Sequence, residues 1–337
     1  MKAVVLMEPG LVLVESTPEP IPSLEMVRLK VRMIGLCGSD LNSFRGTNPL
    51  IAFPRILGHE VAATLVDDVD GYPSLRKGVD VTLSPYTSCG MCPACLCGRP
   101  NACQFNQTLG VQRDGAMREY ISVPIEKIFP AQLSIEELCM VEPLTVGFHA
   151  VSRGRVTSTD TVAIIGCGGV GLGAIAASGF RGAKTIGIDV DDEKLRIARA
   201  AGAKHTINST VDSIHDRLVE LTDGRGPDVI IEAIGLPQTF RAAVEEVAFT
   251  GRVVYIGYAK TPVAYETRLF VQKELDIMGS RNALPEDFHE VIRMLEEKRF
   301  PIDDAISSVI AIDEVPEAFR AWSSDPAKVK KIMVTFD

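Results

Sequence analysis

The hydrophobic and polar positions of this 337-residue chain follow a strand period first and a strand-helix alternation later. From Lys2 to about Asp80 the period is two, most clearly where Val27, Leu29, Val31 and Met33 interleave with Arg28, Lys30 and Arg32, which predicts a half-buried antiparallel sheet. Turn residues such as Pro18, Pro20 and Pro22 separate its pieces. A further strand is expected over residues 116–123 and a helix over 134–153. At Thr161 apolar strands begin to alternate with helices. Strands are expected over 162–165, 185–189, 205–207, 228–233, 252–256 and 275–279, with helices between the first five. That order predicts an α/β fold with a doubly wound parallel sheet, whose ligand lies beyond the carboxyl ends of the strands where strand order reverses. Helices over 285–297 and 315–322 and a strand over 331–336 are expected to return to the β-rich part. The domains are then 1–145 with 285–337, which is discontinuous, and 146–284.

Composition leaves this picture in place and narrows the function. With 46% apolar and 23% charged residues, and no repeat or low-complexity tract, the chain reads as two well-buried globular domains. Its net charge of 35 − 44 = −9 has no long like-charge block, which argues against nucleic acid or an anionic membrane as partner and for a small molecule. The start Met1-Lys2-Ala3-Val4 lacks the layout of a signal peptide, so a cytoplasmic protein is expected. The most membrane-like stretch, 162–180, is interrupted by six glycines and followed by another strand pattern.

Eight cysteines in a reducing compartment point to metal where they cluster. Cys89, Cys92, Cys95 and Cys103 lie in a lobe rich in Gly, Pro and Asn that has little to build a core with. Four thiolates can close a tetrahedron round a structural Zn2+, whose binding energy, on the order of 10 kcal/mol, replaces the missing packing. Cys97 breaks the spacing and is left out of the ligand set.

Gly166-Cys167-Gly168-Gly169-Val170-Gly171 sits between the first strand of the alternating region and its helix. There the glycines allow a tight turn and let backbone N–H groups approach a pyrophosphate at the helix N-terminus. Asp189 ends the second strand, where a ribose diol needs an acceptor. Asp191, Asp192 and Glu193 follow with no arginine before Arg196, so NAD is expected over NADP, whose 2'-phosphate would meet carboxylates.

Cys37, in Gly35-Leu36-Cys37-Gly38-Ser39-Asp40-Leu41-Asn42, is answered downstream by His59 and by Glu60 or Glu142. A thiolate, an imidazole and a carboxylate from separate segments are a ligand set that Zn2+ prefers, with one position left open in a catalytic site. Taken singly each has a plainer reading, because a lone Cys is usually a small buried hydrophobe and a lone His merely hydrogen-bonded.

Gly58-His59-Glu60, the four-cysteine lobe, Glu142-Pro143-Leu144 and the glycine turn, in this order, resemble the zinc-dependent medium-chain dehydrogenases along nearly the whole chain. Glu142 stands where alcohol dehydrogenases of the family have a cysteine, which is similar to the polyol branch with sorbitol and threonine dehydrogenases. Within that branch, residues 110–115 and 278–288 look like those of bacterial L-galactonate and L-gulonate 5-dehydrogenases. The resemblance implies a GroES-like catalytic domain, a Rossmann cofactor domain, two zinc ions per chain and a homo-oligomer, a tetramer before a dimer.

It also implies roles for single residues. Cys37 and His59 bind catalytic zinc with Glu60 or Glu142, Glu60 first, the other carboxylate acting through water or ligand exchange. Asp40 accepts from the second nitrogen of His59, its plainer role being a helix cap. Ser39 takes the alcohol proton. Asn42 stands where many relatives have a histidine and cannot titrate, so proton exit passes through water at Glu60 or Glu142. Cofactor binding falls to Gly166, Gly168, Gly169, Val170, Gly171, Asp189, Lys194, Ile256, Ser280 and Arg281. Arg281 stands near the nicotinamide and is equally suited to a substrate carboxylate. The expected reaction is hydride transfer between NAD and a secondary hydroxyl of a sugar acid or sugar alcohol. L-threonine or a small diol is the alternative substrate, and a non-catalytic sensor of NAD(H) or sugar is the alternative of another class.

Overall fold

A computed structural model describes residues 1–21, 25–326 and 329–336, so Pro22 lies outside the described residues. The chain divides into two compact units, 1–142 with 302–337, and 143–301.

In the first unit the strand Met26–Gly35 is the spine, because its alternating residues are buried on one side and partly exposed on the other. Its neighbours are all antiparallel: Glu60–Leu65 and Ile332–Thr335, with Tyr120–Pro124 on its first half. Asp80–Leu83 and Ile128–Pro130 extend the sheet past Glu60–Leu65, and Ser308–Ala311 extends it past Ile332–Thr335. A smaller sheet of Leu11–Ser16, Lys2–Glu8 and Arg55–Ile56 accompanies it. One apolar core, including Leu29, Ile34, Leu57, Met117 and Phe319, joins both sheets to the helix Val315–Ser324.

The second unit holds six parallel strands: Thr161–Ile165, Lys184–Asp189, His205–Asn208, Val229–Glu232, Arg252–Tyr255 and Asp276–Gly279. Numbered in that order they lie 3-2-1-4-5-6 across the sheet, so strand order reverses between the first and the fourth. Buried on both faces, the central strands are continuous apolar runs such as Val229-Ile230-Ile231. The membrane-like stretch resolves into the first strand and the helix Gly169–Phe180, and no helix among the described residues is long and apolar enough to cross a membrane.

One expectation is corrected. The helix Pro285–Glu296 belongs to the second unit, not the first. Asp287 caps it by accepting from Leu284 N at 2.8 Å, and the same carboxylate meets buried His149 Nδ1 at 2.9 Å. Glu290 receives Arg181 at 2.6 Å, and Arg293 lies 5.0 Å over the Phe180 ring. The expected return to the β-rich unit therefore begins only at residue 302.

Candidate active site

Three strand ends build the first constellation. Gly35 pairs with Glu60 on one side and with Met333 on the other, so residues just beyond these pairs are brought together. A Cβ on Gly35 would sit 2.1 Å from Glu60 Oε2, so only glycine lets that carboxylate lie across the strand. Cys37 then caps the helix Gly38–Phe44, and Cys37, His59 and Glu60 each present one ligand atom within 4.8 Å of the others.

The carboxylates around this cluster are distributed unequally. Lys331 Nζ donates to Glu60 Oε1 and Oε2 at 2.7 and 2.6 Å and to Leu36 O at 3.2 Å. Burial opposes the Lys331 charge, yet Glu60, with Cys37 and Cys139, outweighs it and raises the lysine pKa. Glu142, on the helix Ile135–Arg153, accepts from Tyr86 Oη and is pushed up by burial, with Glu60 adding repulsion. It stands outside the three-residue group.

Asp40 departs from expectation. One of its oxygens accepts from Cys37 N at 2.9 Å, while the other lies 4.0 Å from His59 Nδ1, too far for a hydrogen bond. The capping role is met and the histidine contact is not, because a helix of seven residues places its third side chain over its own first turn. Burial works against a charged His59, but Asp40, Cys37 and Glu142 together override it and raise the pKa. Ser39 Oγ and His59 Nδ1 are buried without a hydrogen-bond partner among the described residues. Orphaned polar atoms beside a thiol and a carboxylate fit a cation site, and a zinc-type donor set is present.

The four cysteines also fit. Cys89 and Cys95 Sγ are 4.0 Å apart, Cys92 and Cys95 3.6 Å, and Cys92 and Cys103 3.8 Å. A tetrahedron of Zn–S bonds has edges of about 3.8 Å. Backbone N–H groups of Cys95 and Gln104 draw Cys92 down to about 6, toward the thiolate a metal needs. Cys97 is exposed and ends the short helix Pro93–Leu96 outside the cluster.

In the second unit the glycine turn leaves the first strand at Gly166, φ +101°, and enters the helix at Gly169. A Cβ on Gly171 would lie 1.8 Å from Gly166 O, which fixes the close packing of helix on strand. Cβ atoms on Gly168 or Gly169 would meet nothing within 4 Å, leaving a space that fits a pyrophosphate beside Val170 in the first helical turn. Asp189 anchors the turn by accepting from Cys167 N at 2.7 Å and Val190 N at 2.8 Å. Lys194 lies close enough to act on the Cys167 thiol, which burial pushes up. Ile256 N donates to Glu232 O at 2.9 Å and Ser280 N to Tyr255 O at 2.9 Å, both just past strand ends. Ser280 Oγ is buried without a partner, and Arg281 is exposed. All ten residues expected to hold cofactor thus lie in this unit, most of them at the carboxyl ends of its strands or on the turns that follow.

The family model of the zinc-binding dehydrogenases matches residues 169–297, and that of the alcohol dehydrogenase GroES-like domain matches 24–133. An uncharacterized zinc-type alcohol dehydrogenase-like protein of Haemophilus influenzae is 35% identical over all of this chain and 99% of its own length. The chain belongs to the zinc-binding dehydrogenases. L-galactonate-5-dehydrogenase of Escherichia coli is 29% identical over 94% of each chain. The crystal structure of Escherichia coli RspB, described as an alcohol dehydrogenase complexed with NADH, superposes with a TM-score of 0.91 at 30% identity, covering 100% of this chain and 99% of the other.

For this zinc-binding dehydrogenase, sequence reasoning missed Lys331 and Tyr86. Lys331 opens a terminal strand as one of two adjacent lysines, and Tyr86 follows a proline in a loop. Neither position carries a local signal, since both partners lie far away in the chain.

Proposed function

We propose that this protein oxidises a secondary hydroxyl of a sugar acid, or of a sugar alcohol, with NAD as hydride acceptor and zinc at the reacting oxygen. The observation that carries the reading is the convergence of Cys37, His59 and Glu60 beside the unpartnered hydroxyl of Ser39. The likeness to L-galactonate-5-dehydrogenase supports the sugar-acid class, and the NADH complex of RspB supports the cofactor.

In this reading the first unit is the catalytic domain and the second the cofactor domain. Cys37, His59 and Glu60 hold the catalytic metal, Glu142 serves as the exchangeable carboxylate, and Cys89, Cys92, Cys95 and Cys103 hold a structural one. Zinc, when bound, polarises the substrate hydroxyl, and NAD accepts the hydride. Ser39 accepts the hydroxyl proton while passing its own to water held at Glu60 or Glu142. Lys331 neutralises Glu60 and keeps its oxygens from swinging freely. Asp189 receives the ribose hydroxyls, while Gly168 and Gly169 leave room for the pyrophosphate. The glutamate pair of Arg196, at 2.9 Å from Glu193, withholds that guanidinium from a 2'-phosphate and favours NAD over NADP.

A homotetramer suits the exposed edge strand Asp276–Gly279, and the cytoplasm suits eight unpaired thiols. The deciding experiment follows reduced nicotinamide by absorbance over a panel of hexonates, polyols and threonine, with NAD and NADP in parallel. Turnover of threonine alone, or comparable turnover with both cofactors, would overturn the corresponding part of the proposal.

A further inference from the structure

Four arginines of the first unit keep a buried Nε without a hydrogen-bond partner among the described residues: Arg28, Arg55, Arg113 and Arg118. Three of them have a carboxylate partner or neighbour, Arg55 and Arg118 sharing one. Arg28 lies 3.9 and 3.7 Å from Glu19 and Asp67, Arg55 lies 2.9 Å from Asp114, and Arg118 feels the Asp114 charge as well. Arg113 differs, because the one hydrogen bond of its guanidinium runs from Nη2 to the carbonyl of Pro85 at 3.3 Å and no carboxylate among the described residues pairs with it.

The charge beside Arg113 is another cation. Lys127 O accepts from Ser84 N at 2.8 Å, and Ile128 pairs with Leu83, so Lys127 and Arg113 are tied to the consecutive residues Ser84 and Pro85. Burial lowers both pKa values. For Lys127 the repulsion from Arg113 adds to burial, and only its chain neighbour Glu126 opposes. Two half-buried cations tied to adjacent residues of one segment, in a chain of net charge −9, repel each other unless an anion joins them.

The loop that carries Arg113 is braced against the metal-binding segments. A Cβ on Gly110 would lie 2.6 Å from Gly58 N, and one on Gly115 would lie 2.2 Å from Leu57 O, directly before His59. On its other side Pro85 precedes Tyr86, whose hydroxyl reaches Glu142. Arg113 thus sits on a loop whose glycines pack on residues 57 and 58, beside His59, and its guanidinium reaches the carbonyl of Pro85, next to Tyr86.

We propose that Arg113, with Lys127, forms an oxyanion subsite for the charged end of the substrate, a hexonate carboxylate or a polyol phosphate. This rests on the reading of the protein as a dehydrogenase of polyhydroxylated substrates and adds their charge class. The guanidinium supplies paired N–H donors for two oxygens and the ammonium supplies charge, with no covalent step.

The test compares zinc-loaded wild type with Arg113→Met, Lys127→Met and Arg281→Leu on a hexonate, a polyol phosphate and the matching neutral polyol. Arg113→Met is expected to lower the ratio of kcat/KM for the charged over the neutral substrate about 10- to 150-fold, through KM. Lys127→Met lowers the same ratio by less. The better of the two charged substrates names the oxyanion. An unchanged ratio in Arg113→Met, or a loss of the ratio only in Arg281→Leu, overturns the proposal.

A binding readout separates this from failure of the dehydrogenase reading. Wild-type protein without NAD is heated with hexonate and, separately, with inorganic phosphate. An anion-dependent rise in Tm that Arg113→Met abolishes supports the subsite even if no alcohol is oxidised, and absence of a rise with either anion overturns it. Arg113→Gln, which keeps a donor for Pro85 O, replaces Arg113→Met if the latter does not fold.

Discussion

Lys331 Nζ and the Glu60 carboxylate meet at 2.6 and 2.7 Å with side chains 8% and 1% exposed, across the strand that ends in Gly35. Removing one partner of such a pair leaves a buried charge, which typically costs about 3 to 5 kcal/mol. Lys331→Met is therefore expected to destabilise metal-free protein by about that amount in denaturant unfolding. Because a bound cation offsets the unpaired buried Glu60 charge, zinc should recover part of the loss. A variant as stable as wild type without metal would show that the pair carries no such burden.

Gly168 and Gly171 should fail differently although both are glycines of one turn. A Cβ on Gly168 meets open space, so Gly168→Ala is expected to keep Tm within a few degrees while weakening dinucleotide binding at least about 10-fold, as the methyl crowds the pyrophosphate. Gly171→Ala collides with Gly166 O and is expected to lose the folded second unit. Thermal unfolding and NADH fluorescence titration check both, and equal behaviour of the two variants would count against the placement of the pyrophosphate.

Ser39 and Asn42 stand three positions apart on one short helix, but Ser39 Oγ is buried without a partner while Asn42 is exposed and takes a long 3.4 Å contact from Thr47 Oγ1. Ser39→Ala is expected to reduce kcat about 10²- to 10⁴-fold, the usual range for a lost proton-transfer group. Asn42→Ala should stay within about twofold, as surface substitutions do. Losses of similar size, measured at several pH values, would contradict a proton path that starts at Ser39.

Cys95 completes the thiolate tetrahedron. Metal analysis of purified protein is expected to find about two zinc ions per chain, falling to about one in Cys95→Ser. The variant should lose stability in the cysteine lobe, seen as faster proteolysis there, because metal binding supplies folding free energy in a region with little core. Cys97→Ser, at an exposed position outside the cluster, should leave the count at two.

The parallel sheet was legible because most of its strands are short apolar runs set between helical patterns, and its six observed strands coincide with the expected ones to within a residue or two. The four-cysteine cluster was legible because ligand spacing is local. The helix Pro285–Glu296 was misassigned, since its amphipathic pattern says that one face is buried but not against which unit. The family resemblance pairs Asp40 with His59, whereas the 4.0 Å gap depends on how far a capped helix turn stands from His59, which residue identity does not encode.

Sequence alone determined the donor types, the glycine turn, the order of elements and the likeness to zinc-binding dehydrogenases, because each is written in residue identity or short spacing. Tertiary structure decided which charges meet. Lys331 reaches Glu60 across 271 positions, Tyr86 reaches Glu142 across 56, and Arg113 and Lys127 are tied to adjacent residues of one segment. Such pairings follow from strand register and buried geometry, which no local pattern encodes, and they set the electrostatics on which the proposed chemistry depends.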